Sequence, residues 1–200
     1  PAFTREGKVH PPTVVAAVNS GSATHGTGVW VHDGTSWLAR STGLTLANFV
    51  RVSVAIAPSS PQTMYAKIGY SATVAGATVE TVTVYRTTDR GQNWTATSGG
   101  GVDSNFTWYN SPIAVDPSNP NIVYVGGIDL YRSTDGGGSW SNVSRGADPS
   151  FQLALHADQH AIAFDPSNPR VVFSGNDGGV YRSTDSSAAT WHWQERGHGL

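Results

Sequence analysis

Hydrophobic and polar positions alternate along this chain in short runs, and glycine, proline, aspartate and asparagine gather between them. Val52-Ser53-Val54-Ala55-Ile56, Ile113-Ala114-Val115, Ile122-Val123-Tyr124-Val125 and Ala161-Ile162-Ala163-Phe164 read as strands. Leu130-Tyr131-Arg132-Ser133-Thr134 alternates with period two. Asp135 to Gly138 then supplies a turn, and Trp140 opens the next strand. The Asp135 carboxylate can accept backbone N–H groups two or three residues on, while glycines supply positive φ. The element this predicts is a hairpin closed by an Asp-centred turn, with a large indole lying across it.

That element recurs. A third unit runs from Ile113 through the turn Asp116-Pro117-Ser118-Asn119-Pro120 to Trp140. A fourth copies it from Ala161 through Asp165-Pro166-Ser167-Asn168-Pro169 to Trp191. A second runs from Val52 to Asp89 and Trp94, and about a dozen extra residues around Ser71 to Thr83 predict a lengthened hairpin there. The first is degraded: Val14–Val18 reads as an inner strand, and Gly28 to Trp37 as a shortened hairpin around Asp33-Gly34. Trp37, Trp94, Trp140 and Trp191 fall roughly 50 residues apart, the length of a four-stranded propeller blade. One hairpin is marginal alone, whereas several side by side bury a continuous core. The expected fold class is all-β, a β-propeller of four-stranded antiparallel blades at residues 10–48, 49–103, 104–147 and 148–200.

Thr87-Thr88-Asp89-Arg90-Gly91-Gln92-Asn93-Trp94 and Ser133 to Trp140 resemble Asp-box, or BNR, repeats (Ser/Thr-x-Asp-x-Gly-x-Thr/Ser-Trp). Together with the Asp-Pro-Ser-Asn-Pro turns and Asn176 to Ser183, the pattern is similar to the propellers of sortilin ectodomains, xyloglucan-degrading hydrolases and secreted BNR-repeat proteins. The resemblance covers residues 50 to 200. It implies structural roles for Asp89 with Trp94, Asp135 with Trp140 and Asp185 with Trp191, although the last turn has one residue too many and no glycine. Gly197-His198-Gly199-Leu200 resembles the link into a further blade. The implied molecule is a larger propeller, completed by further blades, a second chain or a homo-oligomer.

Composition narrows the function. The chain has 200 residues, 38% of them hydrophobic, enough for a core. Twelve basic and fourteen acidic side chains leave a net charge of −2 with no basic patch, which argues against nucleic acid or an anionic membrane as partner. No run is long and apolar enough to span a bilayer. The absence of cysteine excludes disulfides and thiolate metal or redox sites, and no cofactor is expected. Low lysine content and Asn-x-Ser/Thr sequons at Asn93, Asn105 and Asn142 suit an extracellular protein.

Strand order sorts the remaining acids by face. In an up-and-down blade the turns after strands one and three share one end, so the Asp-Pro turns and Asp-centred turns should face together. The opposite face then collects His156, Asp158, His160 and Asp177 with Trp108, Tyr109 and Asp129. If the fourth inner strand starts at Leu155, His156, Asp158 and His160 share one side of it. Two imidazoles and a carboxylate can hold a divalent metal, act as acid and base, or form a hydrogen-bonded plug between blades; no metal is predicted. Asp158, Asp177 and Asp129 are the candidate carboxylates for glycoside hydrolysis. Trp108 and Tyr109 can stack on sugar rings, although aromatics leading into a strand are more often core. Two functions follow as expectations: a secreted module that binds a glycan or protein through this face, and a propeller-type polysaccharide hydrolase.

Overall fold

The computed structural model describes residues 3–5, 8–10, 13–18, 26–98, 100–144, 155–187 and 191–197. Every regular element among them is a strand. The hairpin of β1 (Phe3–Arg5) and β2 (Lys8–His10) comes first. Four sheets follow in chain order. The first is β3 (Val14–Val18), β4 (Gly28–His32) and β5 (Trp37–Ala39). The second is β6 (Phe49–Ile56), β7 (Met64–Val74), β8 (Ala77–Thr87) and β9 (Thr95–Ala96). The third is β10 (Ile113–Val115), β11 (Val123–Gly126), β12 (Leu130–Ser133) and β13 (Ser141–Asn142). The fourth is β14 (Gln159–Phe164), β15 (Val172–Asn176), β16 (Gly179–Ser183) and β17 (Gln194–Glu195). Sequence neighbours pair antiparallel throughout each sheet, as short turns require.

Side-chain oxygens close these turns. Asp116 Oδ1 accepts the N–H of Ser118 (2.7 Å) and Asn119 (3.1 Å), and Asp165 Oδ1 does the same for Ser167 (2.8 Å) and Asn168 (3.2 Å). Asp135 accepts Ser133 Oγ at 2.7 Å, Ser139 N at 2.9 Å and Ser139 Oγ at 2.7 Å. Asp89 repeats that pattern with Thr87 and Asn93. These hydrogen bonds, led by the Ser133 and Thr87 hydroxyls, hold both carboxyls down at about 2. A depressed carboxyl stabilises the fold above its unfolded pKa, and that contribution is lost as pH falls from about 4 through 2. Asp135→Ala should therefore lower the Tm at pH 7 and leave a smaller further loss between pH 4 and 2 than the parent shows, which thermal melts across that range would check.

The first and third turns do share an end: Gly136 N–H donates to Asn121 O (2.9 Å), Arg86 Nη2 to Asn121 Oδ1 (2.7 Å) and Tyr65 Oη to Pro120 O (2.8 Å). The core lies between consecutive sheets. One apolar cluster joins Val29 and Val31 to Val52, Met64, Ile68 and Trp94. A second joins Tyr65 and Val84 to Val115, Val123 and Val125, and a third joins Tyr124, Leu130 and Val143 to Val172, Trp191 and Trp193.

Three expectations need correction. The first sheet has three described strands, and β3 is not its inner strand. Val29 N–H donates to Ser41 Oγ and Arg40 N–H to Val29 O, matching Leu130 to Ser144 and Val143 to Leu130 in the third sheet. β4 thus occupies the place of β12, and Val14–Val18 that of the second strand, β11. The tryptophan of the fourth turn is Trp193 rather than Trp191. Arg86, Arg132 and Arg182 lie opposite Thr95, Ser141 and Gln194, which puts Trp94, Trp140 and Trp193 in equivalent positions. Trp193 Nε1 donates to Val143 O at 2.8 Å just as Trp94 Nε1 donates to Arg40 O at 2.8 Å. The fourth turn also bonds differently, with Asp185 accepting Ser187 N and Oγ two residues on. Its Ala188 to Thr190 and the terminal His198 lie outside the described residues. Finally, the fourth inner strand starts at Gln159, four residues later than expected. Asp158 has a φ of 63°, and a bulge separates Gln159 from Ala161, so the alternation of His156, Asp158 and His160 on one strand side does not exist.

Candidate functional site

At the end opposite the Asp-centred turns, three segments meet. The first is the turn at 106–110, where Phe106 takes a φ of 56° and its carbonyl accepts Tyr109 N–H (2.8 Å) and Asn110 N–H (3.1 Å). Arg51 Nη1 fixes this turn from the second sheet by donating to Trp108 O at 2.9 Å. The second segment, 155–160, is fastened to the third sheet by Asp158 N–H to Ile128 O and Gln159 N–H to Gly127 O, both 2.9 Å. The third is the β15–β16 turn at Asp177-Gly178.

His160 Nε2 lies 2.7 Å from Asp177 Oδ1, and Tyr109 Oη donates to the same oxygen at 3.2 Å. The His160 ring stands edge-on to Tyr109 at 4.7 Å, and Trp108 leans against Tyr109 at 5.5 Å. The His160 and Asp177 side chains are 34% and 39% exposed, so the pair faces solvent. The hydrogen bond from His160, foremost, and that from Tyr109 hold the Asp177 carboxyl below the usual range; the same Asp177 bond pushes the Tyr109 phenol up. His156 packs against Gly178, where a Cβ would come within 2.6 Å of its side chain; a side chain at 178 would displace it. Asp158 turns away from the pair to accept Asn110 Nδ2 at 2.6 Å.

The structure thus brings His160, Asp177 and Tyr109 into direct contact, with Trp108, His156 and Asp158 around them. Asp129 is held elsewhere, since its Oδ2 accepts Asn142 Nδ2 (2.7 Å) from β13 at the outer side of the third sheet. Trp108 and Tyr109 are 58% and 41% exposed, and Phe106 is 51% exposed, so this turn is not core despite its composition. Among the described residues no group of three or more His, Asp or Glu side chains could hold a metal ion.

Three buried residues that the sequence did not single out shape the site. Gln159 donates through Nε2 to His156 O (2.5 Å) and Ile128 O (3.2 Å) while its Oε1 accepts Ser174 Oγ (2.7 Å), and so sets the path of 156–159. Asn110, fully buried, links Asp158 to Lys67, whose Nζ donates to the carbonyls of Asn110 and Gly126. The only signal of Lys67 in the sequence is a cation inside the apolar run Met64-Tyr65-Ala66-Lys67-Ile68. A separate open cleft of about 540 Å³ lies on the other face, lined by Arg86, Asp89, Asn93, Thr97 and Asp135. None of the aromatic residues of the site reaches it.

Among solved structures, a GH74 enzyme of Niastella koreensis superposes with a TM-score of 0.58 and 19% identity over 85% of this chain. YCF48 of Cyanidioschyzon merolae superposes with a TM-score of 0.52 and 16% identity over 86% of it. The fold is that of a β-propeller. The four sheets are its blades, and the chain spans 27% of the GH74 chain's length and 50% of the YCF48 chain's. No family model matches the sequence, and no curated protein does.

Proposed function

We propose that these blades form part of an Asp-box propeller that binds an extracellular glycan through the face opposite its Asp-centred turns. The observation that carries this reading is the exposed aromatic pair Trp108 and Tyr109 set against His160 and Asp177. Flat rings in water offer a stacking surface for the apolar face of a sugar, and a carboxylate beside an imidazole offers an acceptor and a donor for neighbouring hydroxyls. The larger propeller would be completed by further blades of the same protein, a second chain or another copy, consistent with the fraction of the structural neighbours that this chain spans.

Binding is favoured over hydrolysis by the state of the carboxylates. A glycosidase needs one carboxyl held protonated to serve as general acid, and the environment of Asp177 does the reverse. Asp158 is engaged by Asn110. Affinity electrophoresis in gels containing soluble polysaccharides would test the reading. Retardation by a neutral glycan that disappears in Trp108→Ala, with an unchanged Tm, is expected, because a half-exposed ring contributes little to the fold. Retention of binding in the double variant Trp108→Ala/Tyr109→Ala would refute it. Release of reducing ends from the same glycan would establish hydrolysis instead.

A further inference from the structure

The second blade carries a projection that the third and fourth blades lack. Strands β11 and β12 end their pairing at Gly126 opposite Leu130, in register with Lys67 opposite Val84, but β7 and β8 continue through seven further pairs, from Ile68 opposite Thr83 to Val74 opposite Ala77. At about 3.3 Å per residue this raises the hairpin roughly 23 Å above that level. Its tip stands at the same end of the blade as the β11–β12 turn, on the face that bears Trp108 and Tyr109.

The two sides of this projection differ in chemistry. Gly69 lies directly against Thr107, with 2.5 Å left for a Cβ, and the Glu80 carboxylate accepts the Thr107 N–H at 3.2 Å. The side bearing Gly69 and Glu80 therefore turns toward the aromatic segment. Alternation and cross-strand pairing place Ser71, Thr73 and Thr78 on that side as well, so beyond the Gly69–Val82 pair it presents three hydroxyls and a carboxylate. The reverse side carries Ala72, Val74, Ala77 and Val79, with Val74 58% and Val79 43% exposed.

We propose that this hairpin is the second wall of an extended binding groove, which runs from the His160–Asp177 pair across Tyr109 and Trp108 to Ser71, Thr73, Thr78 and Glu80 and takes a linear, uncharged polysaccharide several residues long. The inference rests on the glycan reading above and adds the mode of recognition. A continuous row of hydroxyls beside stacked rings matches a repeating chain of hydroxyls rather than one terminal sugar. The carboxylates at both ends, Glu80 and Asp177, repel a polyuronate and leave neutral chains favoured.

The test is a calorimetric titration with neutral gluco- and manno-oligosaccharides from disaccharide to hexasaccharide, and with an oligogalacturonate as acidic control. Three proteins are compared: the full chain, a variant with residues 72–79 replaced by an Asn-Gly turn, which keeps Glu80 on Thr107, and Ser71→Ala/Thr73→Ala/Thr78→Ala, which keeps the hairpin. Affinity of the parent should rise at least tenfold from disaccharide to hexasaccharide. Both variants should bind the disaccharide as the parent does and lose most of that rise. Equal length dependence in all three proteins, or preferred binding of the oligogalacturonate, overturns the groove while leaving a glycan site in place. Absence of binding of every neutral oligosaccharide to the parent overturns the groove and the glycan reading together.

Discussion

Replacing Lys67 with methionine should flatten the alkaline stability profile of this protein. The parent should gain roughly 2 kcal/mol of unfolding free energy between pH 7 and pH 10. Lys67 is fully buried in β7, and burial, reinforced by the charge of Arg51 and partly offset by Asp103, lowers its ammonium from 10.5 to about 8. The unfolded chain keeps the proton up to its ordinary pKa, so below pH 8 the fold carries a charge that it solvates poorly. That penalty fades as pH rises from 8 toward 10.5, because over this range the unfolded state binds more protons than the folded one. Above pH 10 the effect is opposed by partly buried phenols such as Tyr131, which desolvation, foremost, raises to about 12. Urea midpoints at pH 7, 8, 9 and 10 for the parent and Lys67→Met would decide it. Parallel profiles for the two proteins would show that Lys67 does not titrate in this window.

The second large effect is expected at the indoles. Trp94→Ala and Trp193→Ala should each lose about 3–5 kcal/mol, the range for emptying a buried aromatic site, since the two rings are only 4% and 2% exposed and each joins two blades. Trp37→Ala, whose ring is 48% exposed, should lose less than about 1 kcal/mol. The assignment of Trp193 rather than Trp191 to the repeated position is checked by phenylalanine variants. Trp193→Phe keeps most of the packing but removes the donor to Val143 O, and should lose about 1 kcal/mol more than Trp191→Phe. Chemical denaturation of the set gives all these values, and an equal or larger loss in Trp191→Phe would reverse the assignment.

The scaffold was readable because its signals are local. An aspartate that closes a turn with the next few residues announces itself in the sequence, as at Asp116, Asp135 and Asp165, and the end of the blade to which each turn belongs follows from strand order alone. The gathering of His156, Asp158, His160 and Asp177 at one end was readable for the same reason, from the antiparallel pairing of β14 with β15, whereas the contact of Asp177 with His160 rather than with Asp158 was not. The departures came from forces that a short window does not contain. Asp158 adopts positive φ because its N–H is tied to Ile128 O and its carboxylate to Asn110, contacts made with another blade. Trp191 and Trp193 both fit the spacing, and what separates them is the pairing of Arg182 with Gln194 and the indole bond of Trp193 to Val143 O. Val14–Val18 reads as well for a second strand as for an inner one, because β composition reports burial on a pleated surface and not the order of strands. The exposure of Trp108 and Tyr109 follows from Phe106, whose left-handed conformation turns the segment back on itself.

The three junctions between consecutive blades are not alike. Indole-to-carbonyl bonds cross the first and the last, whereas at the middle one Trp140 Nε1 is buried without a hydrogen-bond partner and a lysine is buried with it. Side-chain bonds from Tyr65, Arg86 and Lys67 cross that seam instead, and it divides the described chain into two halves, each a pair of blades joined by its own apolar cluster and indole bond. Amide hydrogens along it should exchange through a sub-global breathing motion while those inside each half stay protected. The aromatic turn sits astride that seam, held by Arg51 and Glu80 from one half and touching His160 and Asp177 of the other. Whatever occupies it acts as a clasp, and slowed exchange across the seam would report occupancy even for a ligand whose binding releases no measurable heat.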